Sequence, residues 1–246
     1  MGVLETEALV LRSYNLAEAD KIVVCLTRSS GLVRGVARGS RKLKNRFGAA
    51  LEPFTHINLT CYLKENQELI SVRQAEILRS HFNLSSNAET LAGLAYMGDL
   101  VMEFSPPYQR NEKLFRMVKA CLEAVAECPQ DLDSILRYFE VWLLRLEGFL
   151  PDLKHCSDCL RTFTETEPVF ITVELGFTCR ECNRAGHALS KSLHKHLLST
   201  EKLAPNSFAQ QFRIAPKQTK RELEELTHQI IARVLERQPR VRPSFK

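Results

Sequence analysis

The sequence predicts an α+β protein: a five-stranded β-barrel at the amino end, then a helical domain that carries a four-cysteine metal module. Three observations point there. The first eighty residues read with the period of strands, and from Leu84 the apolar residues recur with the period of helices. Between two of those helices, four cysteines fall into two C-x-x-C pairs.

The strands come first. Glu5 to Arg12 alternates into an apolar run. Lys21 to Arg28 and Leu32 to Arg38 are rich in β-branched residues, and Ser29-Ser30-Gly31 between them reads as a hairpin turn. Phe54 to Leu63 and Glu68 to Leu78 supply two more strands around Lys64 to Gln67. Five short strands with one long interruption, Gly39 to Leu51, suit a small Greek-key barrel of the OB type over residues 1–80. An SH3-type half-barrel fits the same pattern.

Helices follow. Leu84, Ala88, Leu91, Ala95, Gly98 and Met102 form one stripe, and Leu94, Met97, Val101 and Phe104 form a second, so the first helix is apolar on two faces. Asn87 leads into it and Pro106-Pro107 ends it. Leu114, Val118, Cys121 and Val125 mark a second helix, closed by Pro129. Ile135, Phe139, Leu143 and Leu146 mark a third, from about Asp131 to Gly148. Beyond the cysteines come a short helix near Ser190 to Ser199 and a longer one from Thr219, striped by Leu223, Leu226, Ile230 and Val234. That stripe needs earlier helices to cover it. The expected helical domain therefore spans 81–153 and 187–246, with the cysteine module, 154–186, inserted in it. The Met and Leu stripes read as core rather than as a cofactor pocket.

The module is Cys156-x2-Cys159, nineteen residues, then Cys179-x2-Cys182. Each C-x-x-C puts two sulfurs on one tight turn, and two such turns face to face make the four-thiolate cage that a structural Zn2+ prefers. The competing readings are two disulfides, a redox dithiol or idle thiols. His155 and His187 lie beside the pairs, but four thiolates already fill the shell. A filled shell leaves no position for water or substrate, so the metal is expected to brace structure rather than catalyse. No H-E-x-x-H, P-loop, G-x-G-x-x-G or G-x-S-x-G occurs, and the expectation is that the protein is not an enzyme.

At 246 residues and 44% hydrophobic content the chain is globular. It opens without an apolar leader and has no segment long enough to span a bilayer. Cys25, Cys61, Cys121 and Cys128 read as small buried hydrophobes, and the thiol-rich composition fits a cytoplasmic protein. The net charge of +5 sits at one end. Residues 1–50 hold nine Lys/Arg and four Asp/Glu, and the remaining chain holds twenty-five of each. From Arg28 to Arg46 there are seven basic residues and no acidic one, the footprint of a surface for a polyanion. In an OB-type barrel the connection from Arg38 to Gly48 flanks the nucleic-acid groove. Tyr14, Phe47 or Phe54 would offer faces for base stacking. A solvated loop that is basic by chance, or contact with an anionic membrane, are the weaker readings. A second basic cluster, Arg233, Arg237, Arg240, Arg242 and Lys246, ends the chain and also suits a helix C-terminus.

Several segments, in order along nearly the whole chain, resemble one family. They are Glu18-Ala-Asp20, Thr27-Arg-Ser-Ser-Gly31, Arg38-Gly39-Ser40-Arg41 and Leu51-Glu-Pro53-Phe54. Then come Arg137-Tyr-Phe-Glu, Leu146-Glu-Gly148-Phe149-Leu-Pro151-Asp-Leu153 with Cys156-x2-Cys159 at once after, and a closing Arg240-Val-Arg242-Pro-Ser244-Phe245. Together they resemble the RecO family of bacterial DNA repair proteins. Two departures are visible: Leu160 stands where that family usually has a glycine, and Gly176 stands alone where a double glycine is common.

The resemblance implies an N-terminal OB fold, a helical domain and a zinc module. It implies a recombination mediator of the RecF pathway, located with the nucleoid, that binds single- and double-stranded DNA and anneals complementary strands. The implied protein partners are RecR, the C-terminal tail of single-strand-binding protein and, indirectly, RecA. By position, Arg34, Arg38, Arg41, Lys42, Lys44 and Arg46 would hold the DNA backbone, and Cys156, Cys159, Cys179 and Cys182 would hold one Zn2+. The alternative is a zinc-ribbon scaffold that acts mainly through protein–protein contacts.

Overall fold

Alternation in the first eighty residues becomes a closed barrel. The computed structural model describes residues 2–16, 18–63, 69–164, 167–183 and 185–236. Strands β1 (Gly2–Asn15), β2 (Lys21–Thr27), β3 (Gly31–Ala37), β4 (His56–Leu63) and β5 (Ile70–Arg79) close in the order β1-β2-β3-β5-β4. β1 is long enough to pair antiparallel with two neighbours, from Ala8↔Thr27 to Asn15↔Lys21 on β2 and from Gly2↔Leu63 to Leu9↔His56 on β4. A bulge between Val10 and Arg12 bends it from one partner to the other. The barrel closes where β3 and β5 run parallel, through Gly35↔Ile70 and Val36↔Ser71. This is the five-stranded Greek-key topology of the OB type.

Every second residue points inward. Ala8, Val10, Val23, Cys25, Val33, Ile57, Leu59, Cys61 and Val72 fill the barrel. Gly35 has a packing role. A Cβ there would lie 2.8 Å from Val72 Cγ2 and 2.9 Å from Ile70 Cγ1, so its bare α-carbon lets β3 and β5 approach. The connection from β3 to β4 is a series of turns that folds back and seats Phe47, Ala50 and Leu51 in the barrel core.

A 3-10 turn (Phe82–Ser86) leads to α1 (Ala88–Phe104), and α2 (Glu112–Glu127) follows. Asn87 caps α1 by accepting from Thr90 N–H at 2.9 Å, and Asn111 caps α2 by accepting from Leu114 N–H at 3.0 Å. α1 lies against β1, where its Asp99 pairs with Arg12. The second of its two apolar stripes is buried, through Leu94, Met97, Val101 and Phe104, whereas in the first Ala88 and Leu91 are exposed. Barrel, α1 and α2 form one compact unit within Met1–Pro129.

A second unit lies within Gln130–Pro239. It holds α3 (Leu132–Leu146), three two-residue strands β6 (Phe170–Ile171), β7 (Phe177–Thr178) and β8 (His187–Ala188), and helices α4 (Lys191–Ser199), α5 (Pro205–Arg213) and α6 (Lys217–Leu235). The strands form a small sheet in the order β7-β6-β8. α3 packs on α5 and α6, and α4 packs on α6. α1 and α2 fall in the unit that holds the barrel, and α3 to α6 fall in the unit that holds the cysteine module.

Helix α5 is absent from the sequence reading. Its nine residues are too few for a clear helical period, yet Pro205 occupies the first turn and Phe208 and Phe212 stack with centroids 5.2 Å apart in the core.

Candidate functional site

Two features have chemistry to offer, one in each unit. In the second unit, the Sγ atoms of Cys156, Cys159, Cys179 and Cys182 all lie within 4.8 Å of one another, and all eight cysteines of the chain are free thiols. Cys159 Sγ and Cys179 Sγ are 3.9 Å apart. Four sulfurs each about 2.3 Å from one ion would be separated by about 3.8 Å, so the cluster fits a tetrahedral metal site.

Local backbone geometry builds this cage. Leu160 N–H donates to Cys156 carbonyl at 2.9 Å, which closes the first turn, and Cys156 N–H donates to Arg161 carbonyl at 2.9 Å. Ser157 N–H donates to Phe177 carbonyl at 2.7 Å and Phe177 N–H to Ser157 Oγ at 3.1 Å, which ties the first turn to β7. β7 then delivers Cys179, whose N–H lies 3.4 Å from Cys156 Sγ.

Burial pushes the Cys156 thiol up, but N–H groups of Cys159, Cys179 and Asp158 outweigh it and bring the pKa to about 6. Cys182 is pushed up to about 12 because it shares hydrogen bonds with the sulfurs of Cys179 and Cys159. A soft divalent ion would replace such shared protons.

Arg161 was missed in the sequence reading. Its guanidinium grips Glu167 through two parallel bonds, Nη1–Oε1 at 2.9 Å and Nη2–Oε2 at 2.6 Å, and also reaches the Cys179 sulfur. A fixed cation there offsets part of the charge of four thiolates. His155 bonds to Asp152 at 2.7 Å and His187 sits exposed on β8, so neither belongs to the sulfur cluster.

In the first unit, the cations of residues 1–50 divide in two. Arg12 pairs with Asp99, Lys21 with Glu52 at 3.1 Å, and Arg28 with Glu7 and Glu112, each at 2.9 Å. These cations are neutralised. Arg34, Arg38, Lys42, Lys44 and Arg46 are exposed, and among the described residues no carboxylate lies within ion-pair reach of them. Arg41 is exposed beside them.

The connection that carries these cations is held in shape. Asp20 accepts from Gly39 N–H at 2.8 Å, and Arg41 N–H donates to Ala19 carbonyl at 3.0 Å. Asn45 Oδ1 accepts from the N–H groups of Phe47 and Gly48, both at 2.9 Å. Gly39 and Gly48 adopt positive φ, as the bends require.

The aromatic residues expected to meet bases need correction. Phe47 is 3% exposed and Phe54 is 7% exposed, because both side chains are seated in the interior. Tyr14 is 45% exposed. Of the C-terminal basic cluster, Arg233 donates to Val173 carbonyl at 3.1 Å, while Arg237, Arg240, Arg242 and Lys246 lie outside the described residues.

A barrel of OB topology with an exposed cationic connection, joined in the same chain to helices and a four-thiol cluster, defines a two-part class of protein. The comparisons with known proteins narrow it. Residues 1–81 match the family description "Recombination protein O N terminal", and residues 85–243 match "Recombination protein O C terminal". The chain is 36% identical over 155 residues to the DNA repair protein RecO of Koribacter versatilis, an alignment that spans 63% of that protein's length. It is 34% identical over 196 residues to the protein of the same name from Symbiobacterium thermophilum, covering 78% of this chain and 77% of that one. With the Caldanaerobacter subterraneus protein it shares 30% over 201 residues, 80% of each chain. The chain belongs to the RecO family of DNA repair proteins. Among the described residues, no helix is long and apolar enough to cross a membrane.

Proposed function

We propose that this chain is a recombination mediator that binds single- and double-stranded DNA and anneals complementary strands without ATP. With RecR it helps load RecA onto strands coated by single-strand-binding protein, and it works in the cytoplasm. It is not an enzyme of bond cleavage. One observation carries the reading: Arg34, Arg38, Lys42, Lys44 and Arg46 stand exposed without carboxylate partners among the described residues, while the cations around them are paired.

Two DNA strands repel each other along their whole length. A cationic surface that holds one backbone lowers that repulsion and releases counterions, which favours pairing without a chemical fuel. The cysteine cage holds one structural Zn2+ through Cys156, Cys159, Cys179 and Cys182, and the metal supplies folding energy rather than a reaction.

The test is annealing of complementary oligonucleotides coated with the cognate single-strand-binding protein, with and without ATP. Annealing is expected in both, and charge reversal at Arg41, Lys42 and Arg46 should abolish it. Affinity for single strands should fall with salt at a log–log slope of about −0.7 per phosphate contact. A flat salt response would sink the DNA reading and leave a scaffold that acts through protein contacts.

A further inference from the structure

With Phe47 and Phe54 buried, the barrel needs another surface if bases are to stack on it. β5 provides one. Cys61 faces Val72 and Thr60 faces Gln74 across β4 and β5, so Arg73 is an extra residue with no cross-strand partner. It is the centre of a β-bulge. Val72 and Ala75 point into the barrel core, while Arg73 and Gln74 both face out. Bulges re-aim side chains and are enriched beside functional sites. This one turns the Arg73 guanidinium onto the Tyr62 ring, 4.5 Å from its centroid. Tyr62 follows the inward Cys61 and therefore stands on the barrel's outer face.

An aromatic ring attracts and positions a guanidinium above it, and the planar guanidinium is itself a surface on which a base can stack. Among the described residues Arg73 has no ion-pair partner, and it is exposed. It also continues the cationic connection. Arg46 Nη2 reaches the Val72 carbonyl at 3.5 Å, one residue from Arg73. The Val36↔Ser71 pairing brings β3, with the exposed Arg34, to the same strand.

We propose that Tyr62 and Arg73 form a stacking platform for a base of single-stranded nucleic acid, with Arg46 and Arg34 on the neighbouring phosphates. The proposal rests on the DNA-binding reading and adds a subsite to it. The platform reads the flat face of any base, so it favours strands with bases over strands with phosphates alone, without sequence preference.

The experiment is fluorescence anisotropy of the full chain with a thymidine oligonucleotide and with an abasic oligonucleotide of equal length. Both carry the same phosphates. The wild-type protein should prefer the thymidine strand by about five-fold or more. Arg73→Lys keeps the charge but lacks the flat face, and Tyr62→Leu keeps an apolar support but lacks the ring. Each should bring the ratio towards one. Thermal melting of each variant checks the fold, and if Tyr62→Leu melts early, Arg73→Lys alone decides. Equal wild-type affinity for both strands, or a preference that survives Arg73→Lys, overturns the platform and leaves the DNA-binding reading intact. Binding to neither strand overturns both.

Discussion

Glu140 of α3 accepts a 2.6 Å hydrogen bond from the hydroxyl of Thr227 on α6, and both side chains are closed off from water. Arg137, one turn earlier on α3, places Nη1 3.0 Å from the same carboxylate and is itself 1% exposed. Arg137 and Glu140 thus form a buried ion pair within α3, and the Glu140–Thr227 hydrogen bond ties that pair to α6. Removing one partner leaves the other charge stranded. Arg137→Met should cost about 3–5 kcal/mol, whereas Arg137→Met with Glu140→Leu should recover most of that loss. Urea denaturation of the single and double variants would settle it, and equal losses in both would contradict the account.

Leu160 and Leu175 adopt φ of +62° and +67°, in the region that favours glycine. Leu160 is the residue that departs from the family pattern after the first cysteine pair, and Leu175 directly precedes the lone Gly176. A non-glycine residue in this conformation costs about 1–2 kcal/mol, offset in part by glycine's larger chain entropy of about 0.5–1 kcal/mol. Leu160 is 73% exposed, so little packing is lost on truncation. Leu160→Gly should stabilise the chain by about 0.5–1 kcal/mol, and Leu175→Gly, half-buried, by less. A lowered melting temperature for Leu160→Gly would contradict this.

Metal content should be one zinc per chain, and chelation should lower the melting temperature rather than remove one selective activity. Cys156→Ser should do the same, because Cys156 is fully buried and its sulfur meets the Cys179 N–H. The measurement is elemental analysis followed by melting with and without chelator. Full metal content in Cys156→Ser would argue against the four-thiolate cage.

Acid should loosen the first unit before its carboxylates titrate. His56 is buried with its ring 6.2 Å from Phe115, and its pKa is lowered by burial and by Lys119, against the pull of Glu7 and Glu123. His81 is lowered by burial, Arg79 and His56, against Glu123. A histidine whose folded pKa is depressed contributes stability that is complete above the unfolded value of 6.5 and is lost as pH falls below it. Glu7 is also lowered, through Arg28 and His56 against its own burial, so its contribution is lost in a separate window below about 4.5. Denaturation midpoints should therefore drop as pH falls below about 6.5, before the carboxylates titrate, and His81→Gln should flatten that drop. A midpoint constant across that range would contradict the assignment.

Much of this was legible in the residues. β-branched runs and the Ser29-Ser30-Gly31 turn located β2 and β3, Asn87 located the cap of α1, and the cysteine spacing located the sulfur cage. What escaped depends on tertiary context. Phe54 reads as an ordinary strand residue, but it takes a positive φ of 65° and turns inward. Phe47 sits in a polar, basic run whose composition hides the fact that the chain folds back into the barrel. The bulge at Arg73 leaves no mark in a period-two pattern, because the extra residue counts only once the opposing strand is in register. Arg161 and Glu167 meet six positions apart, a spacing that neither a helix nor a strand would bring into contact.

Among the described residues, the parallel pairing of β3 with β5 is two residues long, while every other pairing in the barrel runs through seven or more. A cylinder joined so briefly on one side has a preferred line along which to unroll. Arg34 and Arg73 stand on opposite banks of that line, so a nucleic-acid strand laid across them would act as a clasp. Any ligand that bridged Arg34 and Arg73 would thereby stiffen the cylinder it rests on.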